Sequence, residues 1–143
     1  MNPPSFPRHK ELLGLRQGDV LIAYGPPSQE KTNTAPTQLR KVGDVSYYYV
    51  DLPWGTLTLH FTGQWVGGMM VEFVPPLDSV PGALDKLGFT QGLAPSMAAT
   101  TRQRWENLDG YTVDLGLEID QKDGRPVGTG RVRSATIWSR PKA

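Results

Sequence analysis

The sequence predicts an α+β fold: a twisted antiparallel sheet of five to seven strands with one or two short helices packed on one face. Three observations carry that expectation. Apolar and polar residues alternate strictly through several short segments, glycine and proline are frequent (16 and 13 of 143 residues), and only two stretches carry helix signals. The length fits one domain, residues 1–143, which at this size buries about two thirds of its unfolded surface.

Pro3, Pro4 and Pro7 predict an extended arm over residues 1–11, because proline removes backbone donors and blocks helix. Residues 12–74 read as a helix followed by a three-stranded meander. The helix is clearest toward Tyr24, where Val20, Ala23 and Tyr24 share a face, Asp19 suits the positive end of the helix dipole, and Gly25-Pro26-Pro27 is a stop. Residues 29–41 are polar and read as a loop. The meander comprises Val45–Asp51, then Thr56–Thr62 with Leu57, Leu59 and Phe61 on one face, then Trp65–Val74, ended by Pro75-Pro76. Gly67-Gly68 inside the third strand predicts a bulge or strong twist.

Residues 78–143 read as a short helix and a C-terminal hairpin. Asp78 or Ser79 caps the helix, Pro81 lies in its first turn and Gly88 stops it. Residues 90–101 read as loop and Arg102–Glu106 as a short strand. Tyr111–Asp120 alternates cleanly, and Asp123-Gly124 is a two-residue hairpin signal. That turn predicts Asp114 opposite Arg133 and Leu115 opposite Val132, with Arg133 and Arg131 near the acids Asp114, Glu118 and Asp120. The order helix–strands occurs twice, although the halves share no convincing identity.

Composition excludes several function classes. With no cysteine there is no disulfide, thiolate nucleophile or cysteine metal site. No apolar run reaches the length of a membrane span, and the first ten residues lack a signal-peptide core, so a soluble, cytoplasmic protein is expected. The net charge of +1 selects no partner, but Arg125, Arg131, Arg133, Arg140 and Lys142 follow one another without an acid. Those residues are either a solvated strand and tail or a contact for an anionic partner.

No catalytic or metal constellation is visible. His9 and His60 form no HxH or HxxxH pair, and no Gly-x-Ser-x-Gly elbow occurs. Asp114, Glu118 and Asp120 along one strand face could hold a metal or act as an acid/base pair, but the solvated side of a hairpin is the commoner role, and no cofactor is implied. Aromatics are more informative. Tyr47, Tyr48 and Tyr49 are consecutive, so Tyr48 faces away from its neighbours and both faces of that strand are aromatic. Trp54, Trp65 and Trp105 stand near strand ends, where core packing is their ordinary role and interface anchoring the alternative.

Gly14-Leu15-Arg16-Gln17-Gly18-Asp19-Val20-Leu21-Ile22-Ala23-Tyr24-Gly25-Pro26-Pro27 resembles the opening of the SmpA/OmlA (BamE-like) domain. Tyr47-Tyr48-Tyr49-Val50 resembles its aromatic strand, and Thr56-Leu57-Thr58-Leu59-His60-Phe61 with Trp65-Val66 resembles its hairpin. The resemblance spans residues 12–74. Arg16 replaces the usual Thr or Ser cap, the loop before the tyrosines is long, and the family's lipoprotein cysteine is missing, so its outer-membrane role is not carried over. The resemblance implies a helix-on-sheet module of the kind shared with β-lactamase inhibitory proteins, which binds protein without catalysis.

The leading expectation is therefore a non-catalytic protein-binding module, with Tyr48, Trp54, Trp138, Arg131, Arg133 and Arg140 as contact residues. A small-ligand or single-stranded nucleic-acid binder using the same aromatics and arginines is the first alternative. An enzyme joining His60 to Asp51, Glu72 or Asp114 is the second.

Overall fold

In the computed structural model, which describes residues 6–36, 41–89 and 94–139, the chain opens with a helical turn, α1 (His9–Leu12), and an eight-residue helix, α2 (Gln17–Tyr24). A meander follows: β1 (Gln29–Thr32), β2 (Val45–Leu52), β3 (Gly55–Thr62) and β4 (Trp65–Leu77). Helix α3 (Val80–Leu87) leads to a second meander of β5 (Met97–Ala98), β6 (Arg102–Leu108), β7 (Tyr111–Lys122) and β8 (Arg125–Ser139). The last strands of the two meanders pair antiparallel, so the sheet order is β1-β2-β3-β4-β8-β7-β6-β5. Among the described residues no helix is long and apolar enough to cross a membrane.

Among the described residues, eight strands with three short helices make the fold mostly β, which corrects the expected α+β sheet of five to seven strands. The undercount has a physical cause. Strand β1 is exposed at all four residues and carries no apolar alternation; its ladder to β2 alone makes it a strand. Strand β5 is two residues long. Residues 9–12 form a helical turn where an extended arm was expected. Strand β4 also runs past its expected end into Pro75-Pro76. Pairing with β3 stops at Gly55↔Phe73, so the prolines, which lack a donor, interrupt no ladder on that side.

One face of the sheet is the core. Leu57, Leu59 and Phe61 of β3, Met69 and Val71 of β4, Val113 and Leu115 of β7 and Ile137 of β8 are fully buried there, joined by Leu12, Val20, Ala83 and Leu87 from the helices. Complete burial stabilises each such side chain by about 1.5–3 kcal/mol. Helix α3 has the predicted ends: the Ser79 hydroxyl accepts from the Gly82 N–H at 3.0 Å, and Gly88 closes the helix in the left-handed region at φ 100°.

The tyrosine strand holds helix α2 at both ends. Tyr47 and Tyr49 point into the core; the Gln17 amide donates to the Tyr47 hydroxyl, and the Tyr49 hydroxyl donates to the Gly25 carbonyl at 2.9 Å. Burial, with Tyr47 and Tyr24 nearby, pushes the Tyr49 hydroxyl pKa up to about 12, so it stays a donor at any physiological pH. At the N-cap, Arg16 offers no hydroxyl. Its backbone N–H meets the Asp19 carboxylate at 3.4 Å while its guanidinium lies over Trp65, 4.7 Å from the ring centroid.

His9, the first residue of α1, is fully buried against the end of α3 and against β7. Its Nδ1–H donates to the Leu87 carbonyl at 2.9 Å, its ring stacks on Phe89 at 3.9 Å, and Tyr111 meets it edge-on. Desolvation lowers its pKa below the ordinary imidazole value; the Leu87 bond opposes that shift, Lys10 and Arg8 add to it, and Asp109 opposes it.

The hairpin register differs from the expected one. Asp123 and Gly124 form the two-residue turn, with Lys122 opposite Arg125, and the register holds to Ile119↔Gly128. Two irregularities between Ile119 and Gly116 then advance β8, so Asp114 faces Thr136 rather than Arg133, and Leu115 faces Ala135 rather than Val132. Arg133 lies between Val132, opposite Leu117, and Ser134, opposite Gly116; it is the extra residue of a bulge.

Two outcomes follow from this packing. Leu59→Ala should cost about 2–5 kcal/mol in urea denaturation, because a fully buried leucine leaves a cavity. The lowered His9 pKa means the unfolded chain binds more protons below about pH 6.5. Stability should therefore fall as pH drops from 7.5 toward 5, and His9→Gln, which keeps a donor for Leu87, should flatten that slope.

Candidate binding face

The side chains between the core positions point to the opposite face of the sheet. Two rows cross it. The first runs Lys31, Ser46, His60, Gly68, Trp138 and Thr112, from β1 to β7. The second runs Gln29, Tyr48, Thr58, Met70, Thr136, Asp114 and Arg104. This face is only partly buried: Met70 is 36% exposed and Val50, beyond Tyr48 on β2, is 48% exposed.

Trp138 and His60 come together across β4. Their rings stack at 5.2 Å with planes 7° apart, and His60 Nδ1 lies 2.8 Å from the Ser46 hydroxyl. Gly68, on the strand between them, makes the stack possible. A Cβ there would sit 2.4 Å from Trp138 Cε3, inside any allowed contact. The extra residue expected at Gly67-Gly68 is present, with Phe61 opposite Val66 and His60 opposite Gly68.

Tyr48 stands between two cavities. One, of about 260 Å³, is lined by Val50, Thr56, Thr58, Met70 and Glu72 beside Tyr48. The other, of about 280 Å³, is lined by Lys31, Thr32, Asn33, Thr34, Ser46 and His60 beside Tyr48. The Lys31 ammonium lies 5.2 Å from the Tyr48 ring centroid. Among the described residues, no Asp or Glu lines this cavity beside His60, so Asp51, Glu72 and Asp114 do not join His60 there.

Among the residues expected from sequence, Tyr48 and Trp138 therefore share the open face. Trp54 does not join them. It packs at 5.6 Å against Phe6, whose ring stacks on core Phe73, and it lines a separate cavity of about 360 Å³ with Pro53, Pro75, Pro76 and Lys86. Arg131 is ion-paired with Glu118 at 3.4 Å. Asp114 takes Arg102 at 3.2 Å and Arg104 at 3.8 Å, in place of the expected Arg133. Arg140 lies outside the described residues. Trp105 is buried in the core. Sequence reasoning missed Lys31 and Met70 as members of the face. Met70 falls between the buried Met69 and Val71, an alternation that could have found it, but nothing local marks Lys31, whose strand has no apolar pattern.

Among the described residues, no three His, Asp or Glu side chains converge as metal ligands. A methyl group at Gly68 should displace Trp138. Gly68→Ala is expected to cost about 1–3 kcal/mol and to change the near-ultraviolet circular dichroism, a change that disappears in a Trp138→Leu background.

Comparison with known proteins adds the fold and little else. No protein-family model matches this chain, and no curated protein matches it. It is similar to the crystal structure of an extracellular protein containing an SCP domain from Bacillus anthracis str. Ames, at 11% identity and a TM-score of 0.57. The match covers 97% of this chain and 48% of that one, so this chain spans about half the length of the protein it resembles.

Proposed function

We propose that this chain is a non-catalytic module that binds another protein through the open face of its sheet. The observation that carries this reading is the one-sided packing. All three helices contribute to the core on the Leu57 face, while Tyr48, His60, Met70 and Trp138 line the other. Aromatic and methionine side chains on a half-exposed surface are the composition of interface cores.

Size supports the same reading. The strands, two to fifteen residues long and about 28 Å on average, lie about 4.8 Å apart and give a face of roughly 1,100 Å², enough for the 800 Å² per partner of a standard interface. The resemblance of residues 12–74 to the SmpA/OmlA (BamE-like) domain leads in the same direction, since that module binds protein. Nucleic acid is disfavoured by the ion pairs: Arg102, Arg104 and Arg131 already face Asp114, Glu106 and Glu118, which reduces their capacity for phosphates.

Site-specific photocrosslinking in the native cells tests the face. A benzophenone amino acid at position 48 or 70 should give a discrete protein adduct, and one at Ile22, on the helix side and 86% exposed, should not. Trp138→Ala should reduce that adduct about tenfold. Equal adducts from both sides, or adducts removed by nuclease, would overturn the reading.

A further inference from the structure

Resting on the open-face reading, we infer that the partner presents an extended segment along β2 with an acidic and an apolar side chain two residues apart, seated on either side of Tyr48. The periodicity sets the spacing. Ser46, Tyr48 and Val50 are successive open-face positions of β2, and such positions stand about 6.7 Å apart. An extended segment laid along them has the same repeat, so its alternate side chains fall into the two cavities that flank the Tyr48 ring.

Charge sets the direction. The cavity beside Ser46 and His60 contains Lys31 and no carboxylate. The cavity beside Val50 is lined by the exposed Met70 and by Glu72. A carboxylate is attracted into the first and repelled from the second, whereas an apolar side chain gains by covering Met70 and Val50. The reversed placement sets an acid against Glu72 and an apolar group against the Lys31 ammonium, so the same two residues that favour one orientation penalise the other. Tyr48 lines both cavities and so separates the two side chains.

The experiment is a random linear-peptide library displayed on phage, selected on the intact chain and depleted on Tyr48→Ala, with Met70→Lys as the depleting variant if Tyr48→Ala does not fold. Enriched sequences should share an acidic residue two positions from an apolar one. By NMR titration, a synthetic peptide of that sequence should lose about tenfold in affinity when its acid becomes the amide and by a similar factor on Lys31→Glu. Selection on Lys31→Glu should replace the acid by a basic residue. Peptides that need Tyr48 but lack the acid–x–apolar spacing, or that bind Lys31→Glu equally well, would overturn this inference and leave the open face standing as an interface. A failure to enrich any Tyr48-dependent peptide would also overturn it, and the photocrosslinks from positions 48 and 70 then decide separately whether the face binds protein at all.

Discussion

The pairing of β4 with β8 joins two structures that would otherwise be half-covered meanders. Met69 meets Ile137 and Val71 meets Ala135 across that seam, so the core beneath α2 and the core beneath α3 become continuous. Gly68 and Trp138 are 70 positions apart in sequence, and closing a loop of that length costs roughly 4 kcal/mol. Full burial of Met69, Val71 and Ile137 at about 1.5–3 kcal/mol each offsets that cost. The same seam carries Trp138 over Gly68 to His60, so the arrangement that stabilises the fold also builds the centre of the open face.

Local chemistry was legible in the sequence wherever a few neighbouring residues decide the outcome. Ser79, Pro81 and Gly88 marked the ends of α3, and Asp123-Gly124 marked a turn, because caps and tight turns are set by single-residue conformations. The alternation of Thr56–Thr62 and Tyr111–Asp120 gave both strands and their buried faces. Strand β1 was not legible, since four exposed polar residues give no periodic signal and only the ladder to β2 defines them. Register was lost for a related reason: the turn fixes pairing near itself, but irregularities between Ile119 and Gly116 shifted Asp114 onto Thr136.

The candidate face divides along the same line. Strand alternation alone turned Tyr48 away from Tyr47 and Tyr49, and it placed His60 on the polar side. The proximity of His60 to Trp138, and of Lys31 to Tyr48, depends on pairings between distant strands. Trp54 shows the opposite limit. Its position at a turn suited an interface anchor, yet Phe6 draws it toward the core side, a contact between residues far apart in sequence. His9 looked like part of a loose arm, and the carbonyl at the end of α3 together with the Phe89 ring instead makes it a core residue.

The strand order also governs how the molecule meets copies of itself. A strand at the rim of a sheet exposes unsatisfied amide and carbonyl groups that recruit strands from other chains. Here the longest strands, β4 and β8, lie in the middle, and the rims are the four-residue β1 and the two-residue β5. The first of these reads Gln-Glu-Lys-Thr, charged and without an apolar side chain. Apolar segments such as Gly55–Thr62 and Tyr111–Lys122 are thereby kept two or more strands from either rim, out of reach of fibril-type stacking.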